Sequence, residues 1–195
     1  MIDRFKTNTV ILFVAIFFNI FVTNYTLANE SNASLFIEIN NDSKRVIEIE
    51  LNFDTAPNAA NRLKTLAGQG MYDGVTFHRV IDGFMAQTGD VRFGNIKNYD
   101  PSSVGRGGSQ LPDLEAEFSG IPFEMGVVGM ARSQNPNSAN SQFFIMFDTA
   151  PHLDGNYTVV GKVVSGKDVL LNIKKGNKST GLMYQPDYIS RAWSK

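Results

Sequence analysis

Three stretches of the chain bring aromatic and apolar side chains together with a few hydrogen-bonding groups. They are residues 77–90 (FHRVIDGFMAQTGD), 130–147 (MARSQNPNSANSQFFIMF) and 152–163 (HLDGNYTVVGKV). None of them contains a nucleophile beside a general base. This combination favours a shallow apolar cleft with a few fixed donors. Such a site can bind an apolar side chain and polarise a backbone amide, but it lacks the groups that would cut one.

Arg79 and two glutamines are the main hydrogen-bonding groups that these stretches offer. In an apolar strand, an arginine usually packs its stem and extends its head group to solvent or a carboxylate, and this alternative stands beside a functional role for Arg79. Gln87 and Gln142, however, lie in the chain close to Phe84 and Phe144. A glutamine next to a pocket is a neutral donor and acceptor that suits the binding of a peptide backbone. The pattern therefore indicates a peptide-binding cleft that contains a fixed cation.

Several other chemistries are excluded by residue type. The chain has only two histidines, His78 and His152, and no cysteine, so we expect neither a zinc site nor thiol catalysis. It also lacks the Gly-x-Ser-x-Gly elbow of serine hydrolases. Residues 161–168 (GKVVSGKD) nearly match a phosphate-binding loop, but Asp168 replaces the required hydroxyl residue and would repel phosphate. For His78, a hydrogen-bonded structural role is favoured over an acid–base role.

The first residues have the features of an export signal. Arg4 and Lys6 form a short cationic region, and an apolar run follows at 10–22 (VILFVAIFFNIFV). Residues 26–28 (TLA) then place small side chains where a signal peptidase reads them. The apolar run is shorter than the roughly 20 residues that a spanning helix needs. We therefore predict a cleaved signal peptide at 1–28, with an uncleaved N-terminal membrane anchor as the alternative.

Length and composition are those of one globular domain. The chain has 195 residues, of which 43% are hydrophobic and 19% are charged, and this size suits a single core. Its formal net charge of −1 argues against nucleic acid as the main partner, since phosphate binding requires a basic field. We expect a short polar tail at 29–33 and one folded domain at 34–195.

Alternating apolar residues predict β-structure for most of this domain. Residues 35–39 (LFIEI) and 46–51 (VIEIEL) have the period of two that is typical of a hairpin. Further short apolar runs, separated by glycine, predict strands at 75–80, 83–87, 126–131, 142–147, 157–164 and 187–193. Many short strands with few helices favour a closed or sandwich-like β architecture.

Two helices are predicted among these strands. Thr55 is placed to cap a helix that ends near Gly68, and a second, short helix is expected at 167–175 with Gly176 as its stop. The loop at 93–111 is long and rich in Gly, Ser and Asn. It is a candidate functional segment because long loops in compact domains often are.

The three stretches resemble the signature segments of the cyclophilins, a family of peptidyl-prolyl cis-trans isomerases. The resemblance lies in FHRVIDGFMAQTGD at 77–90, SQFFI at 141–145 and LDGNYTVVGKV at 153–163, and it extends in order and spacing over about 35–193. It implies a mainly β fold in which a closed eight-stranded antiparallel β-barrel is capped by two α-helices.

The resemblance implies a role for each candidate site residue. Arg79 would be the catalytic cation, with Gln87 and Phe84 in the same catalytic set. The other residues would form the proline pocket, hold the substrate chain or, for the first of them, support the site: His78, Met85, Ala131, Arg132, Gln142, Phe144, His152, Leu153 and Tyr157. No metal, nucleotide or organic cofactor is implied.

Three of these positions depart from the best-known pattern of the family. His152 stands where a tryptophan is typical, Tyr157 stands where a histidine is typical, and Arg132 replaces an asparagine. Because the position of Arg132 is expected to act chiefly through its backbone, that replacement should affect activity little. The changes at His152 and Tyr157 bear on fine substrate preference and on the binding of cyclosporin, a proline-site ligand of this family.

These inferences predict a prolyl isomerase that assists the folding of exported proteins. Its partners would be proline-containing polypeptides, and we expect a monomer that binds no nucleic acid. Residues 130–132 (MAR) and 138–142 (SANSQ) resemble bacterial members, which implies a periplasmic or secreted protein, or one anchored at its N-terminus and facing the periplasm.

Two other classes of function remain open from the sequence. A proline-peptide-binding or chaperone module with little turnover would keep the same pocket. A ligand-carrying β-barrel would need a large enclosed cavity, whereas the 15 phenylalanines indicate a filled interior.

Overall fold

The computed structural model describes residues 33–40 and 42–195. The predicted signal peptide at 1–28 and nearly all of the predicted polar tail at 29–33 lie outside these residues. The described part of the chain contains eight strands: β1 (Ser34–Ile39), β2 (Asp42–Leu51), β3 (Arg79–Ile81), β4 (Met85–Thr88), β5 (Val127–Met130), β6 (Phe143–Met146), β7 (Val159–Ser165) and β8 (Ile189–Ser194). It also contains the helices α1 (Pro57–Gly68) and α2 (Lys167–Leu171). Every apolar run predicted as a strand overlaps one of these strands.

The predicted hairpin is confirmed as the antiparallel pair β1–β2. Leu35 pairs with Ile49 and Ile37 pairs with Ile47, and all four side chains are fully buried. The period of two in the sequence therefore separates a core face from an outer face. The turn between the strands includes Asn40, whose positive φ of 56° is tolerated by asparagine.

The strands form one curled sheet in the order β3-β4-β6-β5-β7-β2-β1-β8. β3 and β8 are its two edges and do not pair with each other, so the predicted closed barrel is wrong and the sheet is an open half-barrel. The reason is that the outer edge of β3 bonds to a loop. The Val80 amide donates to the carbonyl of Gly181, and Gly176 N donates to the carbonyl of Val80. Isolated bridges, such as Thr76–Tyr188, connect the regions beside the two edges.

Gly181 allows the loop to come this close to β3. Its φ is +75°, and a Cβ atom at this position would lie 2.5 Å from Cγ1 of Ile81. A larger residue would therefore separate the loop from the strand. This approach matters for function because the loop also contacts the side chain of Arg79.

Helix α1 begins one residue later than the capping prediction implies. Its N-cap is Ala56, and Thr55 instead accepts a hydrogen bond from the side chain of Asn52. The free amides of the first turn donate to the carboxylate of Glu117, from Asn58 N at 3.0 Å and Ala59 N at 2.9 Å. A carboxylate from a distant loop thus caps the helix and suits its positive end.

Helix α2 is shorter than predicted because its backbone turns toward a buried carboxylate. The helix ends at Leu171 rather than near 175, and the Lys174 amide donates to Asp187 Oδ2 at 2.9 Å. Ile173 is nevertheless buried, as the apolar pattern of this segment indicates.

The interior of the sheet is filled by side chains rather than by a cavity for a ligand. Large aromatic residues such as Phe77, Phe143 and Tyr72 have no exposed surface. A second, smaller apolar cluster lies on the side of the sheet that carries the candidate site: Met85, Phe123, Val127, Phe144, Met146, Ala150, Leu153 and Val159. Within the residues that the structure describes, no helix has the length and apolar character needed to cross a membrane.

Candidate active site

Arg79 begins a chain of hydrogen bonds that links β3 and β4 to the residue before β6 and to a loop. Arg79 pairs with Gln87 across β3 and β4, and its Nη1 donates to Gln87 Oε1 at 3.4 Å. Gln87 Nε2 then donates to Gln142 Oε1 at 2.9 Å, and Gln142 Nε2 donates to the carbonyl of Gly107 at 2.7 Å. Both glutamine amides are therefore oriented by a donor and an acceptor. We call Arg79, Gln87, Gln142 and Gly107 the relay.

The guanidinium of Arg79 is held from two further sides. Its Nε donates to the carbonyl of Thr180 at 3.2 Å, and its Nη1 lies 4.0 Å from the sulfur of Met85. Burial lowers the pKa of this guanidinium, and the Tyr157 hydroxyl opposes that shift. Because arginine does not lose its proton in proteins near neutral pH, the site keeps a positive charge at a fixed position.

A cleft with apolar walls and several polar lining groups opens beside the guanidinium, with a volume of about 330 Å³. We call it the proline cleft, after the pocket that the resemblance in the sequence implies. Its lining residues come from β3, β4, β6 and the loops that flank them: Arg79, Phe84, Met85, Gln87, Ala131, Arg132, Phe144, His152, Leu153 and Tyr157. Every one of these residues is among the candidate site residues predicted from the sequence. The structure brings them together although they span 79 to 157 in the chain.

Stacked aromatic rings build the walls of the proline cleft. Phe84 stacks on His152 with ring centroids 5.8 Å apart, and Phe144 meets Tyr157 edge to face at 5.7 Å. Phe123 supports Phe144 from behind at 5.7 Å. Gly129 leaves room for this packing, because a Cβ there would lie 2.4 Å from Cζ of Phe144.

A smaller and more polar space of about 240 Å³ adjoins the proline cleft. We call it the side pocket. It shares Gln87, Ala131 and Arg132 with the cleft, and its other lining residues are Gly105, Arg106, Gly107, Ser133, Ser138, Asn140 and Gln142. Gln142 therefore faces the side pocket rather than the proline cleft. The residues that the two spaces share make them one continuous surface.

His78 lies beneath the site rather than on its surface. Only 3% of the residue is exposed, and it lines neither the proline cleft nor the side pocket. Among the described residues, no hydrogen bond of ordinary geometry reaches either ring nitrogen or the Thr76 hydroxyl, although the Thr76 backbone and the Gln142 side chain are close enough to the ring to favour its protonated form. Burial lowers the pKa of His78 to about 4, and the nearby Asp90 carboxylate opposes part of this shift. The imidazole is therefore neutral at pH 7.

Asp90 and Gly107 support the site but are not among the candidate residues predicted from the sequence. Asp90 is fully buried, and it accepts hydrogen bonds from the amides of Arg92, Phe93, Gly105 and Gly107. It thereby fixes the loop whose Gly107 carbonyl anchors the relay. Two features of the sequence could have identified them. Asp90 ends the stretch 77–90, and Gly107 lies in the loop at 93–111 that is predicted to be functional.

The arrangement suits binding and polarisation of a peptide rather than hydrolysis. Among the described residues, no group of three or more histidine, cysteine or acidic side chains is placed to hold a metal ion. The relay and the proline cleft offer a fixed cation, two oriented amides and an apolar wall. These groups can hold a proline side chain while one charged donor faces the cleft.

Comparison with known proteins agrees with this geometry. A family model described as cyclophilin type peptidyl-prolyl cis-trans isomerase/CLD matches residues 36–193. A probable peptidyl-prolyl cis-trans isomerase of Brucella suis biovar 1 (strain 1330) is 60% identical over 148 residues, which cover 75% of this chain and 76% of that protein. Peptidyl-prolyl cis-trans isomerase B of Bacillus subtilis (strain 168) is 38% identical over 133 residues, covering 67% of this chain and 85% of that protein.

A solved structure shares the fold. It is the crystal structure of a Cryptosporidium parvum cyclophilin type peptidyl-prolyl cis-trans isomerase, determined in the presence of the dipeptide Ala-Pro. The TM-score is 0.68 at 26% sequence identity, and the match covers 82% of this chain and 97% of that one.

Proposed function

This chain belongs to the cyclophilin-type peptidyl-prolyl cis-trans isomerases, and from this premise we propose that Arg79 catalyses rotation of an X–Pro bond whose proline ring lies in the proline cleft. The observation that carries the proposal is the fixed guanidinium of Arg79 at the edge of an apolar cleft, held by Gln87 and Thr180. The substrates are proline-containing polypeptides, which agrees with the Ala-Pro dipeptide used with the Cryptosporidium parvum relative.

The barrier to this rotation comes from the amide itself. The nitrogen lone pair is shared with the carbonyl group, which gives the bond a rotation barrier of about 20 kcal/mol. Twisting the bond returns the lone pair to nitrogen, so the nitrogen becomes a hydrogen-bond acceptor only in the transition state. A guanidinium beside that nitrogen binds the twisted form more strongly than either planar form, and this difference accelerates the reaction.

Arg79 and the cleft both contribute to lowering the rotation barrier. A hydrogen bond to a charged group contributes about 1.5–3 kcal/mol, which corresponds to roughly one to two powers of ten in rate. The remainder must come from the apolar walls, which remove water from the amide and hold the proline ring. Phe84, Met85, Phe144 and Leu153 supply these walls. Gln87 and Gln142, with the backbone at Ala131 and Arg132, hold the substrate chain.

The buried His78 is assigned a supporting role. Its neutral imidazole lies behind the relay, and it does not touch the proline cleft. It takes no proton during the reaction, because rotation about the amide bond transfers none.

We also propose that the protein acts outside the cytoplasm on exported polypeptides. The support is the sequence of the first residues, with cationic Arg4 and Lys6, the apolar run at 10–22 and the small residues at 26–28. The mature chain would begin at Asn29 and act as a monomer. An uncleaved anchor at the same segment would place the domain in the same compartment.

Exchange spectroscopy separates the enzyme from a module that only binds proline peptides. A small proportion of the protein is added to an Ala-Pro tetrapeptide, and exchange between the cis and trans signals is measured by NMR. The proposed function predicts exchange peaks at protein concentrations far below that of the peptide. Shifted or broadened signals without exchange peaks would instead support the binding module.

A further inference from the structure

The side chain of Arg132 joins the two segments that form one rim of the proline cleft. Its Nη1 donates to the carbonyls of Ser133 at 2.9 Å and Gln134 at 3.3 Å, in the segment that follows β5. Its Nε and Nη2 donate to the carbonyl of Asn156 at 3.2 and 2.8 Å, in the segment that precedes β7. The guanidinium thus bridges three backbone carbonyls that lie on two separate loops.

The same guanidinium lies over the ring of Tyr157. Its Cζ is 4.5 Å from the ring centroid, which is the geometry of a cation–π contact. Tyr157 in turn meets Phe144 at 5.7 Å and Phe123 at 6.5 Å, both edge to face. The orientation of the Tyr157 wall therefore depends on Arg132 on one face and on two phenylalanines at its edge.

The contacts of Arg132 differ from those of Arg79 in a way that separates their functions. Four hydrogen bonds from Arg132 go to backbone carbonyls of the rim, out of the five N–H groups that an arginine has. Most of the donors of Arg132 are therefore occupied by hydrogen bonds within the protein. Arg79 donates instead to the carbonyl of Thr180 and to the side chain of Gln87.

We propose that Arg132 is a positioning residue of the proline cleft, acting through its side chain to fix the Tyr157 wall and the backbone rim at Ala131–Arg132. This inference rests on the proposed function, because it assumes that the proline ring occupies this cleft. It goes beyond the expectation that this position acts chiefly through its backbone. Loss of the side chain loosens the wall that holds the proline, so it weakens substrate binding while the Arg79 guanidinium stays in place.

Kinetics of Arg132 and Tyr157 variants test the proposal. We expect Arg132→Ala to raise KM for an Ala-Pro tetrapeptide about threefold to tenfold, with kcat changed less than about twofold. Arg132→Lys keeps the charge but cannot bridge three carbonyls, so its KM should lie between those of the wild type and Arg132→Ala. Tyr157→Leu should raise KM about as much as Arg132→Ala does. Tyr157→Phe should leave KM close to that of the wild type, because the ring remains.

A double-mutant cycle then shows whether the two side chains act as one unit. The combination of Arg132→Ala with Tyr157→Leu should raise KM little more than either change alone. Arg191→Ala is the matched control, because Arg191 lies over the Trp193 ring at 5.3 Å on β8 and lines no part of the cleft. We expect this control to leave KM and kcat unchanged.

The outcomes separate this inference from the function on which it rests. The dissociation constant of the same tetrapeptide is measured by calorimetry in parallel, so the role of Arg132 is tested even if turnover does not depend on Arg79. An unchanged KM and affinity in a folded Arg132→Ala or Arg132→Lys protein would overturn the inference, as would effects that multiply in the double variant. An equal rise of KM in Arg191→Ala would also overturn it, because the cause would then be general stability.

Discussion

Arg79 and Gln87 lie directly opposite each other on the antiparallel strands β3 and β4, and the guanidinium donates to the Gln87 amide oxygen at 3.4 Å. This register places the cation beside the side-chain amide of Gln87, and the nitrogen of that amide donates to Gln142. The position of the charge therefore depends on a hydrogen-bonded chain rather than on Arg79 alone.

The relay predicts an effect of a residue that does not touch Arg79. Gln142→Ala removes the acceptor that orients Gln87 Nε2, so the partner of Arg79 is free to rotate. We expect kcat/KM to fall about threefold to tenfold, the scale of one hydrogen bond. Gln185→Ala is the matched control, since this exposed glutamine lines neither the proline cleft nor the side pocket. Equal activity in Gln142→Ala and the control would show that the relay does not position the cation.

The buried histidine predicts a loss of stability in mild acid. The pKa of His78 falls from its ordinary 6.5 to about 4 on folding, chiefly because of burial. The unfolded chain therefore binds the proton more readily, so the stability present above pH 6.5 declines as the pH falls toward 4. The expected loss is about 3 kcal/mol in the free energy of unfolding.

Urea unfolding at several pH values between 7 and 4 measures this loss, with the window set by the two pKa values of His78. A His78→Gln variant lacks the titrating group, so its free energy of unfolding should vary less over the same range. Identical pH dependence in the two proteins would assign the acid sensitivity to other groups.

His152 predicts weak binding of cyclosporin. It lines the proline cleft and stacks on Phe84 at 5.8 Å, where a tryptophan is typical of the family. An indole offers a larger apolar face and an N–H donor. We expect His152→Trp to bind the drug markedly more tightly than the wild type, as measured by calorimetry. Equal affinities would show that this position does not contact the ligand.

The first residues predict processing during export. Residues 1–28 should be absent from the mature protein, which should begin at Asn29. Sequencing the N-terminus of protein purified from the native cell envelope checks this directly. A chain that begins at Met1 and stays with the membrane would support the uncleaved anchor instead.

Local patterns in the sequence were sufficient to predict the strands and to single out the residues that line the proline cleft, but not Asp90 or Gly107. The period of two over 35–39 and 46–51 predicts β1 and β2, because one face of the hairpin must be buried. The types of Arg79, Gln87 and Gln142 indicate a peptide-binding cleft before any contact is known. The strand pattern depends on residues that are near each other in the chain, whereas the cleft residues are recognised by type and come together from positions 79 to 157.

Contacts between distant segments could not be predicted in the same way. Arg79 meets the Thr180 carbonyl 101 residues away, and Glu117 caps α1 across 58 residues from Ala59. Neither pairing leaves a periodic signal in the sequence. The sheet stays open at β3 because of another such distant contact. The carbonyl of Gly181 accepts from Val80 at the strand edge that β8 would pair with in a closed barrel.

The proposed catalytic role of Arg79 is to stabilise the twisted amide. Arg79→Ala should lower kcat/KM for an Ala-Pro tetrapeptide at least about tenfold, while the dissociation constant changes much less. Arg79→Lys should recover little, because a lysine lacks the planar fork that contacts both Gln87 and Thr180. Circular dichroism of each variant establishes that it is folded.

The most direct single measurement is kcat/KM of the wild type and of folded Arg79→Ala, compared over about pH 6 to 8, where arginine does not titrate. We expect a flat wild-type profile, without the bell shape of an acid–base pair, and a parallel profile at least about tenfold lower for the variant. Equal values in the two proteins would contradict the assignment of Arg79 as the catalytic cation.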